Sequence, residues 1–187
     1  MRPQKIDDNT LLTGLNSVLS AKGYEGASLN ELANSSGLKK ASLYHRFPGG
    51  KKDMAIAVLN FVGEWIDTHI VEVLTDTGQS PSHRLYLALQ HINELYQEGK
   101  STCILRALSM DNSLPLFENE LASATNEWIA SFTRLGADFG MEDHEARETA
   151  IAVLTKIQGS LVVGKLLDDQ SIFKSALKEI KLLYLQD

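Results

Sequence analysis

The stretch LKKASLYHRFPGG, residues 38–50, concentrates side chains that suit contact with a polyanion. Within about two helical turns it places four basic or potentially basic side chains, a hydroxyl and a phenol: Lys39, Lys40, Ser42, Tyr44, His45 and Arg46. Lysine and arginine pair with phosphates or guanine edges, and Ser, Tyr and His can hydrogen-bond to phosphates or bases. This is unexpected in a chain whose formal net charge is −6.

The charge is divided unevenly along the chain. Residues 1–53 contain eight Lys or Arg and five Asp or Glu, whereas residues 54–187 contain ten and nineteen. A basic N-terminal segment ahead of an acidic remainder indicates a division of labour. We expect the N-terminal part to meet a polyanion and the rest to avoid one.

The bulk composition predicts a globular protein of the reducing cytoplasm. The chain has 187 residues, of which 43% are hydrophobic, and this is enough to build a core. Cys103 is the one cysteine, so no intramolecular disulfide can form. The N-terminus lacks the apolar run of a secretory signal, and no stretch approaches about 18 consecutive apolar residues, so we expect no membrane span.

The apolar pattern predicts an all-α chain. Apolar residues recur at helical spacing and no strand alternation stands out. The predicted helices cover 7–22, a short stretch after Ser28, Lys39–Phe47, Lys51 to the mid-70s, 83–98, 117–135, 144–167 and 171–185. Residues 101–116, which contain Pro115, give no clear pattern.

The second and third helices have the size and punctuation of a helix-turn-helix. Ser28 and Glu31 fit the capping box that opens a helix, and Gly37 tolerates the backbone conformation of the turn. In the third helix Leu43 and Phe47 fall on one face and can pack inward, which leaves the basic and hydrogen-bonding side chains outside. A solvated helix with a few lysines is the alternative, but the agreement of cap, turn and two-sided helix favours a DNA-reading element.

These residues resemble a known family. The stretch SLNELANSSGLKKASLYHRFPGGKKDM, residues 28–54, is similar to the DNA-binding signature of TetR-type transcriptional regulators. The likeness includes the opening hydroxyl, the L-A pair, the G-L of the turn, the L-Y-x-x-F core and Lys51. The PGGK sequence resembles a sub-branch that includes multidrug-type regulators. The close resemblance covers roughly residues 8–56.

The resemblance implies roles for single residues of this sequence. Three are expected to contact phosphates: Ser28, Tyr44 and Lys51. Five are expected to face the major groove: Lys39, Lys40, Ala41, Ser42 and His45. Arg46 lies on the edge, as either a phosphate contact or a solvated side chain. Lys40 and Ala41 depart from the glycine or threonine that the family often has, so a base preference cannot be carried over.

The resemblance also implies two domains, a helix-turn-helix domain at 1–50 and a helical effector-binding and dimerisation domain at 51–187. The last two helices are the candidates for a homodimer interface, through Ile157, Gly159, Ser160, Leu161, Gly164, Phe173, Leu177 and Ile180. The alternative is that these apolar stripes form the core of one subunit.

The middle helices carry aromatic and polar side chains that could enclose a small-molecule effector. The candidates are Phe61, Trp65, His69, His91, Arg106, Met110, Phe117, Trp128 and Phe132. Effector pockets are mostly apolar with a few polar anchors, and His69, His91 and Arg106 could be those anchors. Each aromatic could equally be plain core.

We interpret the sequence as a ligand-responsive transcriptional regulator, a repressor that binds a pseudo-palindromic operator as a homodimer and is released by a small-molecule effector. One alternative is a helical small-molecule carrier or sensor without DNA binding, and another is an activator or architectural protein of the same fold. An enzyme is not expected, because the chain lacks the common catalytic motifs and the spacing of Cys103 and His91 supports no nucleophile–base pair. The histidines are scattered, so neither a metal site nor a cofactor is expected.

Overall fold

The computed structural model describes residues 6–185, and these residues form ten α-helices and no β-strand. The helices are α1 Asp8–Gly26, α2 Leu29–Ser35, α3 Lys40–Arg46, α4 Lys51–Ile66, α5 Glu72–Thr75, α6 Pro81–Leu95, α7 Ile104–Leu108, α8 Leu114–Asp138, α9 Asp143–Leu167 and α10 Ser171–Tyr184. The all-α prediction is confirmed.

Two compact units divide the chain. The first comprises Met1–Gly63 with Ile104–Leu121, and the second comprises Glu64–Cys103 with Ala122–Asp187. The predicted segment 1–50 is therefore part of a larger packed body that also contains the first turns of α4, α7 and the start of α8. Residues 1–5 and 186–187 of the predicted domains lie outside the described residues.

The core of the first unit holds the three N-terminal helices around α4. Its members are fully or almost fully buried apolar side chains: Leu11, Leu15, Leu19, Leu32, Leu43, Met54, Val58, Leu108 and Phe117. Tyr24 packs edge-on against Phe117, with ring centroids 5.2 Å apart. The inward packing of Leu43 shows that the apolar face of α3 is used as the sequence predicts.

The helices α1 and α2 come unusually close at Gly14. The Ser35 hydroxyl donates to the Gly14 carbonyl at 2.9 Å. A Cβ at position 14 would lie 2.2 Å from the Ser35 carbonyl oxygen and 2.6 Å from its carbon. Because these are backbone atoms, only glycine permits the approach at this point.

The helix that begins at Lys51 contains a wider turn. Residues Asp67–Val71 are π-helical, and the chain then continues as α5. The predicted helix from Lys51 to the mid-70s is therefore present with one interruption. Single π-helical turns are frequent at functional sites.

Several helix boundaries differ from the sequence expectation, and two of the differences have a clear local cause. The helix α8 begins at Leu114 rather than at 117, because Pro115 falls in its first turn, where the missing N–H has no partner to lose. The helix α6 ends at Leu95 rather than at 98. Gln97, Glu98 and Gly99 follow with φ values of 49°, 60° and 92°, which no α-helix accommodates.

The second unit contains a buried polar contact beside its aromatic core. Arg84 is 3% exposed. Its guanidinium donates to the Leu74 carbonyl and to Asp138 Oδ2, both at 2.8 Å. Since a buried cation needs such partners, this residue fixes the start of α6 to the ends of α5 and α8.

Two helical stretches, Lys51–Thr75 and Asp143–Leu167, are long and apolar enough to cross a membrane by length and composition. This is weak evidence for a membrane span, because core helices of soluble proteins meet the same criteria. In α9 the apolar character extends to exposed positions such as Leu166 and Leu167.

Candidate nucleic-acid interface

The cap of α2 fixes the first half of the helix-turn-helix. The Ser28 hydroxyl accepts from the Glu31 N–H at 3.3 Å, and a Glu31 carboxylate oxygen accepts from the Ser28 N–H at 3.2 Å. The predicted capping box is therefore present. Lys22 pairs with the same carboxylate. Hydrogen bonds from Lys22 and then from Ser28 lower the pKa of Glu31 to about 2.

Acid should weaken this cap. The pKa of Glu31 is lower in the folded state than its ordinary value of 4.5, so the stability it supplies is present above that value and is lost as the pH falls through about 2. We expect Glu31→Gln to lower the unfolding free energy slightly at neutral pH, because a neutral amide oxygen replaces the charged acceptor of the capping box. The difference from the wild type should shrink as the pH approaches 2 in chemical unfolding experiments. A difference that stays constant with pH would contradict the role of the charged cap.

The turn between α2 and α3 presents the third helix outward. Gly37 lies in the turn with a φ of 70°, as the sequence predicts. In α3, Leu43 is 1% exposed, and Phe47, which follows the helix, is 9% exposed. Both anchor α3 on the core of the first unit, so its other side is available to solvent.

The outward face of α3, together with Lys39 before it, holds all five predicted groove-facing residues and Tyr44. All six side chains are exposed: Lys39, Lys40, Ala41, Ser42, Tyr44 and His45. In the part of the chain that the structure describes, Lys39, Lys40 and His45 form no ion pair. The face thus offers three unpaired nitrogen donors, a hydroxyl and a 47% exposed phenol on a helix that can fit a major groove.

Lys51 lies in a different environment from the lysines of α3. Its side chain is only partly exposed, and Nζ donates to the Ala27 carbonyl at 3.3 Å. The same nitrogen lies 4.5 Å from the centroid of the Tyr24 ring. Lys51 therefore satisfies a carbonyl after α1 and joins α1 to α4, a role that the sequence did not indicate.

The exit from α3 depends on glycine. Gly50 has a φ of 71°, and the Gly49 N–H donates to Asp53 Oδ2 at 2.6 Å. A Cβ at Gly49 would lie 2.3 Å from Asp53 Oδ1. The Pro48-Gly49-Gly50 break thus turns the chain into α4 and leaves Asp53 to bind the N–H group ahead of it.

Five of the nine predicted effector-pocket residues lie in the second unit, in two aromatic groups. Trp65 and His69 stack with centroids 4.3 Å apart, and His91 lies edge-on to His69 at 5.4 Å. Trp128 and Phe132, both buried, lie 6.3 Å apart. His69 belongs to the π-helical turn, and its Nδ1 lies 2.9 Å from the Trp65 carbonyl.

The other four predicted pocket residues belong to the first unit: Phe61, Arg106, Met110 and Phe117. Phe117 has no exposed surface and packs on Tyr24, so it is a core residue. Met110, in contrast, is 50% exposed. The residue types alone could not reveal to which unit each of these side chains belongs.

The predicted dimer residues need a correction. Six of them are buried within the single chain and have little surface to offer a partner: Ile157, Ser160, Leu161, Gly164, Phe173 and Ile180. Gly159 is exposed and Leu177 is partly exposed. Their burial favours the alternative interpretation, that these stripes belong to the core of one subunit.

The structure instead exposes a different set of apolar side chains on the last two helices. This apolar stripe comprises Ile151, Val162, Val163, Leu166 and Leu167 of α9 and Leu182 of α10. Leu166 is 78% exposed, and Leu167 and Leu182 are both 66% exposed. The signal was present in the sequence, because α9 is apolar on more sides than one subunit can bury.

A shallow groove accompanies the stripe between α9 and α10. Its volume is about 380 Å³ and its lining is mostly small or apolar: Lys156, Gly159, Ser160, Val163, Ser171, Ile172, Ser175, Ala176 and Glu179. Lys156 and Glu179 form an ion pair at 2.6 Å within this lining.

Among the described residues no group of three or more His, Cys, Asp or Glu side chains could hold a metal ion.

An exposed basic helix held by a capped helix and a glycine turn defines a helix-turn-helix DNA-binding regulator. Residues 11–58 match the family model described as "Bacterial regulatory proteins, tetR family". The match covers the helix-turn-helix and the first turns of α4, so the chain carries a TetR-type DNA-binding domain at its N-terminal end.

Sequence relatives and a solved structure match this chain over most of its length. The chain is 27% identical to the HTH-type transcriptional regulator LmrA of Bacillus subtilis over 159 residues, which cover 82% of this chain and 84% of LmrA. It is also 27% identical to an uncharacterized HTH-type regulator of Lactococcus lactis, covering 88% and 86% of the two chains. A TetR regulator from Legionella pneumophila has the same fold, with a TM-score of 0.80, 17% identity and coverage of 96% and 97%.

A further structural neighbour was solved with DNA. The TetR family regulator CifR, as a cysteine mutant complexed with 26-bp double-strand operator DNA, matches with a TM-score of 0.76 and 22% identity over the full length of both chains. At this identity the likeness establishes the fold alone. What this chain binds must therefore be argued from its own surface.

Proposed function

We propose that this protein is a repressor that binds a pseudo-palindromic DNA operator as a homodimer and is released by a small-molecule effector. The observation that carries the proposal is the outward face of α3, where Lys39, Lys40 and His45 are exposed without ion-pair partners in the described part of the chain. Lys39, Lys40, Ser42 and His45 face the groove, where they can read bases, and Tyr44 holds an adjacent phosphate. As a regulator of bacterial DNA, the protein works in the cytoplasm.

Ser28 and Lys51, at the starts of α2 and α4, also contribute to phosphate binding. Ser28 is exposed but its hydroxyl is engaged in the capping box. Lys51 is held on Ala27 and Tyr24. A phosphate at either residue would also meet the exposed N–H groups of a helix start. Both residues can therefore contribute to phosphate binding while they keep their hydrogen bonds within the protein.

The dimer forms through the apolar stripe. Soluble monomers seldom expose neighbouring apolar side chains such as Val163, Leu166 and Leu167 of one helix, and such patches mark protein–protein contacts. The partner's large side chains fit the groove between α9 and α10, where Gly159 and Ser175 leave room. A two-fold pair of this kind presents two copies of α3 to two half-sites.

The effector binds in the second unit. The side chains that suit it are Trp65, His69, His91, Trp128 and Phe132, which combine aromatic faces with imidazole nitrogens. An effector releases the operator only through its preference for the state that does not bind DNA. A carrier or sensor that does not bind DNA would have the same effector site. Substitutions in α3 therefore distinguish it from a DNA-binding regulator.

The experiment that tests the proposal is a DNA-binding selection followed by fluorescence anisotropy. Purified protein selects sites from a random duplex pool, and affinity is then measured for the wild type and for Lys40→Ala with Tyr44→Ala. We expect a preferred two-fold site and an affinity loss of about 100-fold in the double variant, because one base contact and one phosphate contact are lost. The matched control is Lys100→Ala, an exposed lysine of the second unit, which should bind as the wild type does.

The opposite result is equally clear. If selection enriches no site, or if the double variant retains the wild-type affinity, α3 does not read DNA. The helical carrier or sensor without DNA binding then becomes the better interpretation.

A further inference from the structure

We propose that Asp8 limits the DNA affinity of this protein, because its carboxylate holds Arg46 away from the phosphate backbone. This inference rests on the proposed function, since it concerns how the same helix-turn-helix meets DNA. It assigns Asp8 as a positioning residue and gives Arg46 a partner within the protein.

The contact joins the start of α1 to the end of α3, at the two ends of the reading head, which is the part of the chain formed by α1, α2 and α3. A terminal guanidinium nitrogen of Arg46, in the last turn of α3, donates to a carboxylate oxygen of Asp8, in the first turn of α1. The two residues are 38 positions apart in the sequence. Asp8 is 72% exposed and Arg46 is 41% exposed, so the pair lies where a DNA backbone can reach it.

Asp8 is distinguished from the other acidic side chains near it. Asp7 accepts from the Thr10 N–H at 2.9 Å and from the Thr10 hydroxyl at 2.7 Å, so it is the cap of α1. Asp53 serves Gly49, and Glu31 serves the cap of α2. Among the described residues, Asp8 alone pairs with a cation of α3.

The charges also favour this arrangement before DNA arrives. A carboxylate is favoured in the first turn of a helix and a guanidinium in the last, because each offsets the local helix dipole. A phosphate would compete with Asp8 for the same guanidinium nitrogen. Because phosphate contacts add affinity for any sequence, withholding one reduces binding to random DNA and leaves base reading to Lys40, Ser42 and His45.

The salt dependence of binding measures the number of phosphate contacts directly. We expect Asp8→Asn to free Arg46 for a phosphate, which steepens the slope of log affinity against log salt on a random-sequence duplex by about 0.9 for each head in contact, or about 1.8 for the dimer. At about 0.1 M salt each such contact raises affinity about 8-fold. Arg46→Gln alone should leave the wild-type slope unchanged, because Arg46 is already withheld.

The double variant separates this effect from simple charge repulsion. If Asp8→Asn acts through Arg46, it should add nothing to the slope in the Arg46→Gln background. An equal gain in both backgrounds would mean that Asp8 only repels DNA, and would overturn the proposal. A slope that falls by about 0.9 per head in Arg46→Gln alone would overturn it too, since Arg46 would then be a phosphate contact in the wild type.

Two further controls keep the outcome interpretable. Thermal unfolding followed by circular dichroism identifies variants with an altered fold, and the slope comparison uses variants that retain the wild-type melting profile. If the wild type binds no duplex at any salt, the proposed function and this inference fail together. If the wild type binds and Asp8→Asn changes neither affinity nor slope, the inference about Asp8 fails alone.

Discussion

Replacing Gly14 by alanine should destabilise the first unit by about 3 kcal/mol or more, as expected for strong overpacking in a core. The new methyl carbon would lie 2.2 Å from the Ser35 carbonyl oxygen and 3.0 Å from Ser36 Cα. Backbone atoms cannot move aside as a flexible side chain can, so α1 must separate from the end of α2. The hydrogen bond from the Ser35 hydroxyl to the Gly14 carbonyl would be lost in the same movement.

Chemical unfolding of the variant, with DNA affinity measured in parallel, checks this expectation. Gly63→Ala is the matched control, because Gly63 also lies within a helix of the first unit and a Cβ there meets nothing within 4 Å. The control should be neutral or gain up to about 1 kcal/mol from the higher helix propensity of alanine. If Gly14→Ala proved as stable as Gly63→Ala, the close contact between α1 and α2 would not exist in solution.

The sequence predicts the reading head well because its signals are local. Ser28 and Glu31 are three residues apart, and the capping box needs no information from elsewhere in the chain. Gly37 marks a turn for which glycine is the favoured residue. Leu43 and Phe47 divide α3 into an inner and an outer face by their spacing alone. These short-range features fix which side chains of α3 reach solvent.

Local sequence patterns could not predict the partners of the charged side chains that connect α1 with α3 and α4. The contacts of Lys51 with Ala27 and of Arg46 with Asp8 join residues that are 24 and 38 positions apart. Their formation depends on how α1 crosses α3 and α4, and periodicity carries no such information. The resemblance to a family assigns Lys51 to phosphate, and only the fold reveals its partners inside the chain.

The C-terminal helices illustrate a second limit. Hydrophobic periodicity identifies apolar positions in α9, but it does not say which of two apolar faces one subunit buries. Ile157 and Leu161 face inward, whereas Val163 and Leu166 face solvent. The resemblance to the family assigned the first face to the interface, whereas in the structure that face is buried within the single chain, where α9 packs against α10.

The double substitution Val163→Glu with Leu166→Glu should convert the protein from a dimer into a folded monomer. Both side chains are exposed in the single chain, at 44% and 78%, so the new carboxylates meet water in the monomer and cost little stability. In a two-fold interface each carboxylate would be buried near its symmetry copy, where charge without a partner is strongly unfavourable. Analytical ultracentrifugation should therefore show the monomer mass at concentrations where the wild type is a dimer.

The loss of dimerisation in this double variant should also lower its affinity for the operator. Two linked heads raise affinity by about 100-fold or more over one head, because the second contact becomes intramolecular. We expect a loss of that size for a two-fold operator in fluorescence anisotropy, with a smaller change on a single half-site. Arg147→Glu, an exposed charge reversal at the start of α9, controls for added negative charge and should stay dimeric. A double variant that remained dimeric would place the interface elsewhere and leave the apolar stripe for another partner.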